Sequence, residues 1–406
     1  MGATAQFWHF VKGSALIVSR GSRGYFTWML LLAAVIGAGG LAYANQASNG
    51  LITSNMRDQL SWGFYIGNFA FLVGVAAAAV MVVIPAYVYH WGPIRDVVLL
   101  GEMMAVAAII MCILFVTVDV GRPERIWHMV PVLGTPNFPY SLLIWDILVL
   151  NAYFALNYFI VTYLVYMSYR GRKYNAVFVL PIIFLSIPVA ISIHTVTAFL
   201  FMGLKSRPFW NTAILAPRFI SSAFVSGPSL MVLIFLVLRR VRPIEISDQA
   251  IRKLGELLAY TMVTNLFFLG CEVFREFYSQ TSDVIHAEFQ WFGLRNGHGI
   301  AGYTWFALVC NVSALVIFVM PELRNRIPVL AVACVLAFAG VYIEKGLGLL
   351  LPGMTPDAMG EVYRYDPSLN EVLIGAGVWG VGALCFTLMA KVATAISAGE
   401  FRYREG

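Results

Sequence analysis

Long apolar stretches, separated by short polar segments, make up most of the chain. Each stretch is about 20 residues or longer, the length that a helix needs to cross the hydrocarbon core of a bilayer. The pattern predicts an all-α integral membrane protein with ten transmembrane helices. The predicted helices cover residues 25–44, 62–89, 97–118, 140–168, 175–201, 216–239, 255–279, 299–320, 327–350 and 371–396.

Composition and charge support this class and predict the topology. Of the 406 residues, 60% are hydrophobic and 12% are charged, whereas soluble proteins carry about 25% charged residues. Lys and Arg are concentrated on the side that holds both termini, which predicts a multi-pass protein of the bacterial inner membrane with cytoplasmic termini. The net charge of +6 is therefore a topology signal; the lipid bilayer is an expected partner and nucleic acid is not. The five cysteines lie in apolar stretches without metal-ligand spacing, so no metal site is predicted.

Two short sequence motifs form an internal repeat. Residues Gly101–Met104 read GEMM and residues Gly255–Leu258 read GELL, and each string opens a long apolar stretch. This repeat predicts two four-helix bundles, helices two to five and six to nine, arranged as parallel repeats with helices one and ten at their flanks. The predicted segments are an interfacial N-terminal segment at 1–24, the first helix and an outer loop at 25–61, the first bundle with the binding site at 62–201, the second bundle at 202–350, and an outer loop, the tenth helix and a cytoplasmic tail at 351–406.

Four consecutive helices of the first bundle carry polar side chains toward the same outer level. Such a group inside an apolar bundle suits a quinone headgroup, whose carbonyls need hydrogen-bond donors while its ring and tail need apolar walls. His194 is the predicted proton donor, because the pKa of an unperturbed histidine is near 6.5. Asp119 is expected to hold the tautomer of His194 or to relay protons, so both are predicted to be catalytic. The predicted quinone-binding residues are Trp62, Tyr65, Asn68, Asp119, Arg122, Asp146 and His194.

Each of these residues also has a purely structural interpretation. His194 would then bond to neighbouring helices, and Asp119 with Arg122 and Glu124 would form a solvated ion cluster at a helix end. Asp146 would be an acid of the kind that helix starts favour. The aromatic residues of helix two, Trp62 included, would belong to the interfacial belt.

A second set of acids predicts a proton path. Glu102 lies about one turn inside the cytoplasmic end of helix three, and roughly 25 Å of helix separates it from Asp119. An ionisable residue within a membrane helix is by default a functional candidate, so the predicted path begins at Glu102 and reaches Asp119 and His194. Glu256 and Glu272 of the second bundle are weaker members of this path.

The structural alternatives for the acids are contact with water and ion pairing. Glu102 would extend to nearby water at the helix end. The expected ion pairs join Glu256 to Arg252 or Lys253, Glu272 to Arg275, and Glu344 to Lys345.

Five longer runs carry a resemblance to a known family. They are SWGFYIGNFAFLVGVAAAA from Ser61, DVGRPERIW from Asp119, LLIWDILVLNAY from Leu142, SIHTVTAFLF from Ser192 and RPFWNTAILAPRFISSAFVSGPSL from Arg207. Together they resemble the NrfD/PsrC family of membrane quinone-interacting subunits, over residues 25–396. With ten predicted helices, the chain is most similar to the membrane subunit of Qrc-type menaquinone reductase complexes.

The resemblance implies a site, a substrate and partners. Menaquinone would bind at the outer end of the first bundle, beside a periplasmic iron–sulfur subunit. The chain itself would hold no haem, no iron–sulfur cluster and no metal. A multihaem cytochrome c and a molybdopterin-enzyme-like subunit would belong to the same complex. Asp119 and His194 occupy the family's acid and histidine positions, Glu102 lies where a cytoplasmic proton path begins, and the second bundle lacks a histidine that matches His194.

The predicted function is therefore electrogenic menaquinone reduction within a respiratory oxidoreductase complex. Three alternatives remain open. The first is quinol oxidation, with electrons flowing in reverse. The second is a secondary transporter that uses the paired acids for coupling, although the sequence shows no pair of broken helices at mid-membrane. The third is a haem b cytochrome, which needs axial histidines inside helices, where only His194 is placed.

Overall fold

The fold is a bundle of long helices. The computed structural model describes residues 3–95, 97–130, 132–241, 246–280, 284–294 and 299–403. Within these ranges, ten helices are long and apolar enough to cross a membrane, so the ten-helix prediction is confirmed. We number them in chain order. Their bounds are α1 Arg23–Asn49, α2 Phe64–Val88, α3 Val98–Asp119, α4 Leu142–Tyr169, α5 Ala176–Met202, α6 Leu215–Val241, α7 Asp248–Ser279, α8 Ala301–Val319, α9 Ile327–Met354 and α10 Leu369–Ser397.

Eight of these helices form two rings of four. Helices α2 to α5 contact one another in one ring, called here the first unit, and helices α6 to α9 form the second unit. The units meet where α2 and α5 pack on α6 and where α2 packs on α9, a contact zone that we call the seam. Helix α1 packs on α10, which packs in turn on α3 and α2. We call the end that holds Phe64 and Asp119 the loop end, and the opposite end the terminus end.

Two helices are interrupted. Helix α2 loses its regular form at Ala78–Ala79 and ends in a π-helix, Ile84–Val88, that contains Pro85. Helix α9 consists of Ile327–Lys345 and Leu347–Met354, joined at Gly346. The sequence predicted neither interruption, only that a pair of broken helices at mid-membrane is missing. The interruptions nevertheless occupy different places, since α2 is the first helix of its unit and α9 is the last, unlike the matched pair expected of a transporter.

Small residues bring the two units together at the seam. Gly227 of α6 lies so close to Ala78 that a Cβ atom at Gly227 would overlap the alanine side chain. A Cβ atom at Gly67 of α2 would lie 3.4 Å from the carbonyl carbon of Gly346. Close backbone approach through small residues is typical of helix packing in membranes. Both interruptions therefore lie at the seam.

The N-terminal helix, Ala3–Val18, packs at the terminus end. The ring of Phe10 lies 5.2 Å from Tyr169 at the end of α4 and 6.2 Å from Phe401 in the C-terminal segment. His9 Nδ1 lies 2.7 Å from the Tyr169 hydroxyl. The two ends of the chain are thus folded against α4, and the interfacial position of the N-terminal segment stays a prediction.

Candidate functional site

Polar side chains inside the first unit gather between α4 and α5. His194 is 1% exposed, and neither ring nitrogen makes a hydrogen bond within the described residues. One turn along α5, the Thr197 hydroxyl donates to Asp146 Oδ1 at 2.7 Å, and Asp146 is also 1% exposed. Residues three apart share a helix face, so His194 and Thr197 lie on the same side of α5. Since buried polar groups are nearly always hydrogen-bonded, His194 marks this position as a candidate binding site.

Aromatic rings cover this position on its loop-end side. The Trp62 ring packs edge-on against Phe201, with centroids 5.4 Å apart, and lies 6.0 Å from Trp210. Phe201 follows Thr197 by one turn of α5 and also lies 5.9 Å from Phe219 of α6. Trp62 therefore packs against Phe201, which lies on the face of α5 that carries His194 and Thr197.

Asp119 belongs to a different network from His194. Its buried Oδ1 makes no hydrogen bond within the described residues. The Tyr65 hydroxyl donates to Gln46 Oε1 of α1 at 2.7 Å, and the charges of Asp119 and of Glu371 in α10 act on Tyr65. The expected hydrogen bond between Asp119 and His194 is absent from the described structure. Tyr65 therefore points toward α1, and Asp119 has an acid of α10 as its electrostatic neighbour.

Glu371 joins the starts of α2 and α10. Its carboxylate accepts hydrogen bonds from the backbone nitrogens of Asn55 and Ser368 and from the Tyr365 hydroxyl. The same hydroxyl accepts from the Phe64 nitrogen at 2.7 Å. Burial and the neighbouring Glu371 carboxylate raise the pKa of Tyr365 above its usual range, so this tyrosine stays a donor. The network fixes the loop end of α2 beside Asp119.

Arg122 lies outside both networks. Its side chain is 75% exposed and lies 3.5 Å from Glu124. Exposed pairs of this kind contribute about 0–1 kcal/mol. Arg122 and Glu124 thus form a solvated pair at the start of the 123–129 segment, as the structural interpretation of Arg122 expects.

Asn68 faces α9 and α10. Its Oδ1 accepts from the Tyr342 hydroxyl at 3.0 Å and from Trp379 Nε1 at 2.9 Å. It also lines a cavity of about 530 Å³ between α2, α8, the break in α9 and residues 363–367. This volume is in the range of small-molecule sites. The predicted quinone-binding residues therefore do not form one site. Trp62, Asp146 and His194 belong to the first unit, and Asn68 lines this cavity. Tyr65 and Asp119 lie toward α1 and α10, and Arg122 is exposed.

Glu102 is buried near the terminus end of α3. It is 1% exposed, and its Oε2 makes no hydrogen bond within the described residues, so the side chain does not extend to the surface. Its charge acts on Tyr153 of α4, whose hydroxyl donates to the Ala76 carbonyl beside the interruption of α2 at 3.4 Å. Asn157 Nδ2 donates to the Tyr153 carbonyl at 2.8 Å. Polar groups thus follow Glu102 into the first unit.

The second unit holds a buried cluster of paired charges. Arg218 of α6 pairs with Glu272 of α7 and with Glu344 of α9, the latter at 3.0 Å. Asn311 of α8 donates to Glu344 Oε2 at 2.8 Å. Lys345 Nζ donates to the backbone carbonyl of Phe219 at 2.8 Å. Side chains from all four helices of the unit therefore meet in one place.

These contacts correct two of the expected ion pairs. Glu272 pairs with Arg218, whereas Arg275 pairs with its neighbour Glu276. Glu344 also pairs with Arg218, while Lys345 points to α6. Glu344 and Lys345 are successive residues whose side chains leave the helix in different directions, so the expected pair between them does not form. The expected pair of Glu256 with Lys253 is present at 2.9 Å, and both side chains are 35% exposed.

Several residues of these networks were missed by the sequence analysis. Thr197 follows His194 at helical spacing, so its place beside the histidine could have been predicted from the sequence. The roles of Gln46, Glu371 and Arg218 could not, because their partners lie in distant helices. Among the described residues, no group of three His, Cys, Asp or Glu side chains is placed to hold a metal ion.

Ten apolar helices around buried polar networks define a multi-pass membrane protein, and comparison with known proteins places it in a family. The family model described as polysulphide reductase, NrfD, matches residues 53–355. The chain belongs to the NrfD family. The matched range contains both units, including His194, Asp146 and the Arg218 cluster.

Three known proteins are similar along most of their length. A Halobacterium salinarum protein, provisionally named as the membrane subunit of a dimethyl sulfoxide reductase, is 26% identical over 403 residues, which is 88% of each chain. The Hdr-like menaquinol oxidoreductase integral membrane subunit of Archaeoglobus fulgidus is 23% identical, and a selenate reductase subunit of Mesobacillus selenatarsenatis is 22% identical, each over 91% of this chain and 93% of its own. Two of these relatives are named as membrane subunits, and all three are named as subunits of oxidoreductases. The chain is accordingly similar to proteins that work with partner subunits.

Proposed function

We propose that this chain is the menaquinone-binding subunit of a respiratory oxidoreductase complex and exchanges electrons with an iron–sulfur partner at the loop end. The observation that carries the proposal is His194, an imidazole inside the first unit without a hydrogen-bond partner in the described structure. Asp146 and Thr197 lie beside it, and Trp62 and Phe201 cover it. Polar groups under an aromatic cover are what a quinone headgroup requires.

The first unit offers both groups that quinone chemistry needs. Reduction of a quinone to a quinol consumes two electrons and two protons. Electrons would come from the partner, while His194 donates a hydrogen bond to one carbonyl of the headgroup and supplies a proton to it. Asp146 is a second proton donor in its protonated state, and Thr197 fixes the carboxyl group by its hydrogen bond.

Protons would reach the site from the terminus end. Glu102 is buried at the start of α3, and Tyr153 and Asn157 extend the polar groups inward from it. Asp119 would serve the loop end, where the buried Glu371 is its neighbour. Glu256 and Glu272 are weaker candidates, since both are ion-paired. Proton uptake at Glu102 would make turnover electrogenic, with about 2.3 kcal/mol per charge for each 100 mV crossed.

The loop end is the proposed docking face for the partner subunits. Residues 123–130 and 132–140 expose large apolar side chains, among them Trp127, Leu133, Phe138 and Tyr140. Exposed apolar patches mark interaction sites. We place the iron–sulfur subunit on this face, with a multihaem cytochrome c and a molybdopterin-enzyme-like subunit further out. This orientation puts both termini in the cytoplasm of a bacterial cell and the chain in its inner membrane.

Quinol oxidation is a second candidate, because one relative is named as a menaquinol oxidoreductase subunit. The same groups would then act in reverse: His194 and Asp146 would accept the two protons while the partner takes the two electrons. The partner would set the direction of electron flow, since the polar groups of the first unit can serve either quinone reduction or quinol oxidation.

Variants of His194 in the purified complex test the proposal. His194→Ala should lower menaquinone turnover about 10²-fold or more, as loss of a general acid or base does. The matched control is His286→Gln, because His286 is also a buried histidine but bonds to the Pro352 carbonyl, away from the first unit. Wild-type turnover in His194→Ala would reject the site. Purification of an active chain without redox subunits would instead favour a transporter.

A further inference from the structure

The cavity beside the break in α9 has aromatic walls. Its volume of about 530 Å³ is within the range of small-molecule sites. Six of its lining residues are aromatic, and they come from α2, α8, α9, the helix Val284–Trp291 and the segment before α10. They are Phe64, Phe289, Tyr303, Tyr342, Tyr363 and Tyr365. Rings on several sides favour a planar ring as the occupant, because aromatic rings attract one another when stacked with an offset or edge to face.

Hydrogen bonds within the protein hold several of these walls in place. The Tyr342 hydroxyl donates to Asn68 Oδ1 at 3.0 Å, and Asn68 Nδ2 donates to the Phe64 carbonyl at 2.8 Å. The Tyr365 hydroxyl accepts from the Phe64 nitrogen at 2.7 Å and donates to Glu371. Because these groups are bonded to one another, their main contribution to the cavity is its shape.

Other hydrogen-bond donors line the same cavity. Arg364 uses its Nε to bond Asp366 Oδ2 at 2.7 Å, and a guanidinium group carries further N–H groups beyond that bond. Tyr303 adds a hydroxyl on a side chain that is 64% exposed. Leu347 and Gly348 line the cavity from the first turn of the second half of α9, where backbone N–H groups have no acceptor within the helix. The lining therefore suits a ligand that carries acceptor oxygens.

The charged residues of the described lining balance each other. They are Arg364 and Asp366, and the two form an ion pair. With this pair intact, the lining has no excess positive charge that would attract an anionic lipid headgroup. The lining thus favours an uncharged aromatic compound with carbonyl oxygens over an anionic phospholipid.

The start of α2 lies between this cavity and the proposed site in the first unit. Phe64 and Asn68 line the cavity, whereas Trp62 belongs to the aromatic cover of the first-unit site. Trp210 lies 6.0 Å from Trp62, and its Nε1 donates to the Leu349 carbonyl in the second half of α9 at 3.0 Å. The two places are therefore distinct, but neighbouring residues form their walls.

We propose that this cavity is a second quinone-binding site, separate from the site at His194. The quinone headgroup lies between the aromatic walls and accepts hydrogen bonds from Arg364 and Tyr303. The identity of the ligand rests on the proposed function, because menaquinone is the neutral ring compound on which that function depends. No redox step is assigned to the cavity, which holds a quinone beside the site of chemistry.

Photolabelling of the purified complex with an azido-naphthoquinone tests the proposal. Illumination should label peptides that contain Tyr303 or residues 363–367, and excess menaquinone should prevent this labelling. Leu347→Trp places a larger side chain in the cavity and should reduce the labelling about 10-fold or more. The matched control is Leu41→Trp, which changes an exposed leucine of α1 and should keep the labelling.

A second variant keeps the test decisive if Leu347→Trp assembles poorly. Tyr303→Phe combined with Arg364→Gln removes the hydroxyl and the guanidinium group from exposed positions. Loss of two hydrogen bonds should weaken binding of the probe at the cavity about 10-fold. Its matched control is Tyr278→Phe, an exposed tyrosine of α7 outside the cavity lining, which should bind the probe as the wild type does.

The outcomes separate this inference from the proposed function. Labelling confined to the first unit, together with an inactive His194→Ala complex, overturns the second site alone. Labelling of the cavity that excess phospholipid prevents and excess menaquinone does not overturns the quinone as its ligand. Equal labelling in Leu347→Trp and Leu41→Trp shows non-specific attachment and also overturns the site. Full activity of His194→Ala, with no labelling of either place, would reject the proposed function as well.

Discussion

The two units differ in how their buried ionisable side chains are paired. In the first unit, Glu102 and His194 keep side-chain atoms without hydrogen bonds in the described structure. In the second unit, Arg218 holds Glu272 and Glu344 in one cluster. Removing a partner from a buried charge is costly, whereas an unpaired polar group is itself a cost that proteins retain at functional sites. This difference supports the proposal that the chemistry lies in the first unit, while the paired charges of the second unit mainly hold its helices together.

The largest expected effect tests the cohesion of the second unit. Arg218→Met leaves Glu272 and Glu344 buried without their cation, which should destabilise the fold by about 3–5 kcal/mol. Unfolding of the detergent-solubilised chain measures this loss. Replacing Glu272 and Glu344 by Gln in the same chain should recover part of the stability. A stable Arg218→Met protein would break the comparison.

An intermediate test concerns Glu102. Glu102→Gln exchanges a carboxyl group whose Oε2 has no hydrogen bond in the described structure for a neutral side chain of equal size. Stability should therefore change by no more than about 1 kcal/mol. Generation of a membrane potential by reconstituted complex should nevertheless be lost. The matched control is Glu256→Gln, whose acid forms a half-exposed pair with Lys253 and should keep charge movement. Equal potentials in both variants would remove Glu102 from the proton path.

The smallest expected effect concerns Arg122. Because this side chain is solvated and paired only with Glu124, Arg122→Ala should change stability by less than about 0.5 kcal/mol. Quinone turnover at saturating electron donor should stay at the wild-type rate. A large fall in turnover would show that Arg122 contacts the quinone or a partner protein, and would extend the functional region beyond the interior of the first unit.

Helical periodicity explains which site residues could be anticipated. His194 and Asp146 were expected on facing helices of one bundle, and the structure bonds Asp146 to Thr197, one turn from His194 on the same face of α5. Asp119 was expected beside His194 because both lie near the same membrane level. The membrane depth of a residue follows from its position along the helix. Its neighbours also depend on the side of the helix from which its side chain points. Asp119 has Glu371 of α10 as its neighbour for this second reason.

The amino-acid sequence by itself determined the ten membrane helices, the family and the presence of acids within the apolar stretches. Lipid requires long, internally hydrogen-bonded apolar helices, so these features depend on local composition. Only the tertiary structure decided that Glu272 pairs with Arg218, that α9 breaks at Gly346 and that a cavity lies beside this break. Those choices depend on which helices become neighbours and on small residues such as Gly67 that let them approach, and no local pattern specifies either.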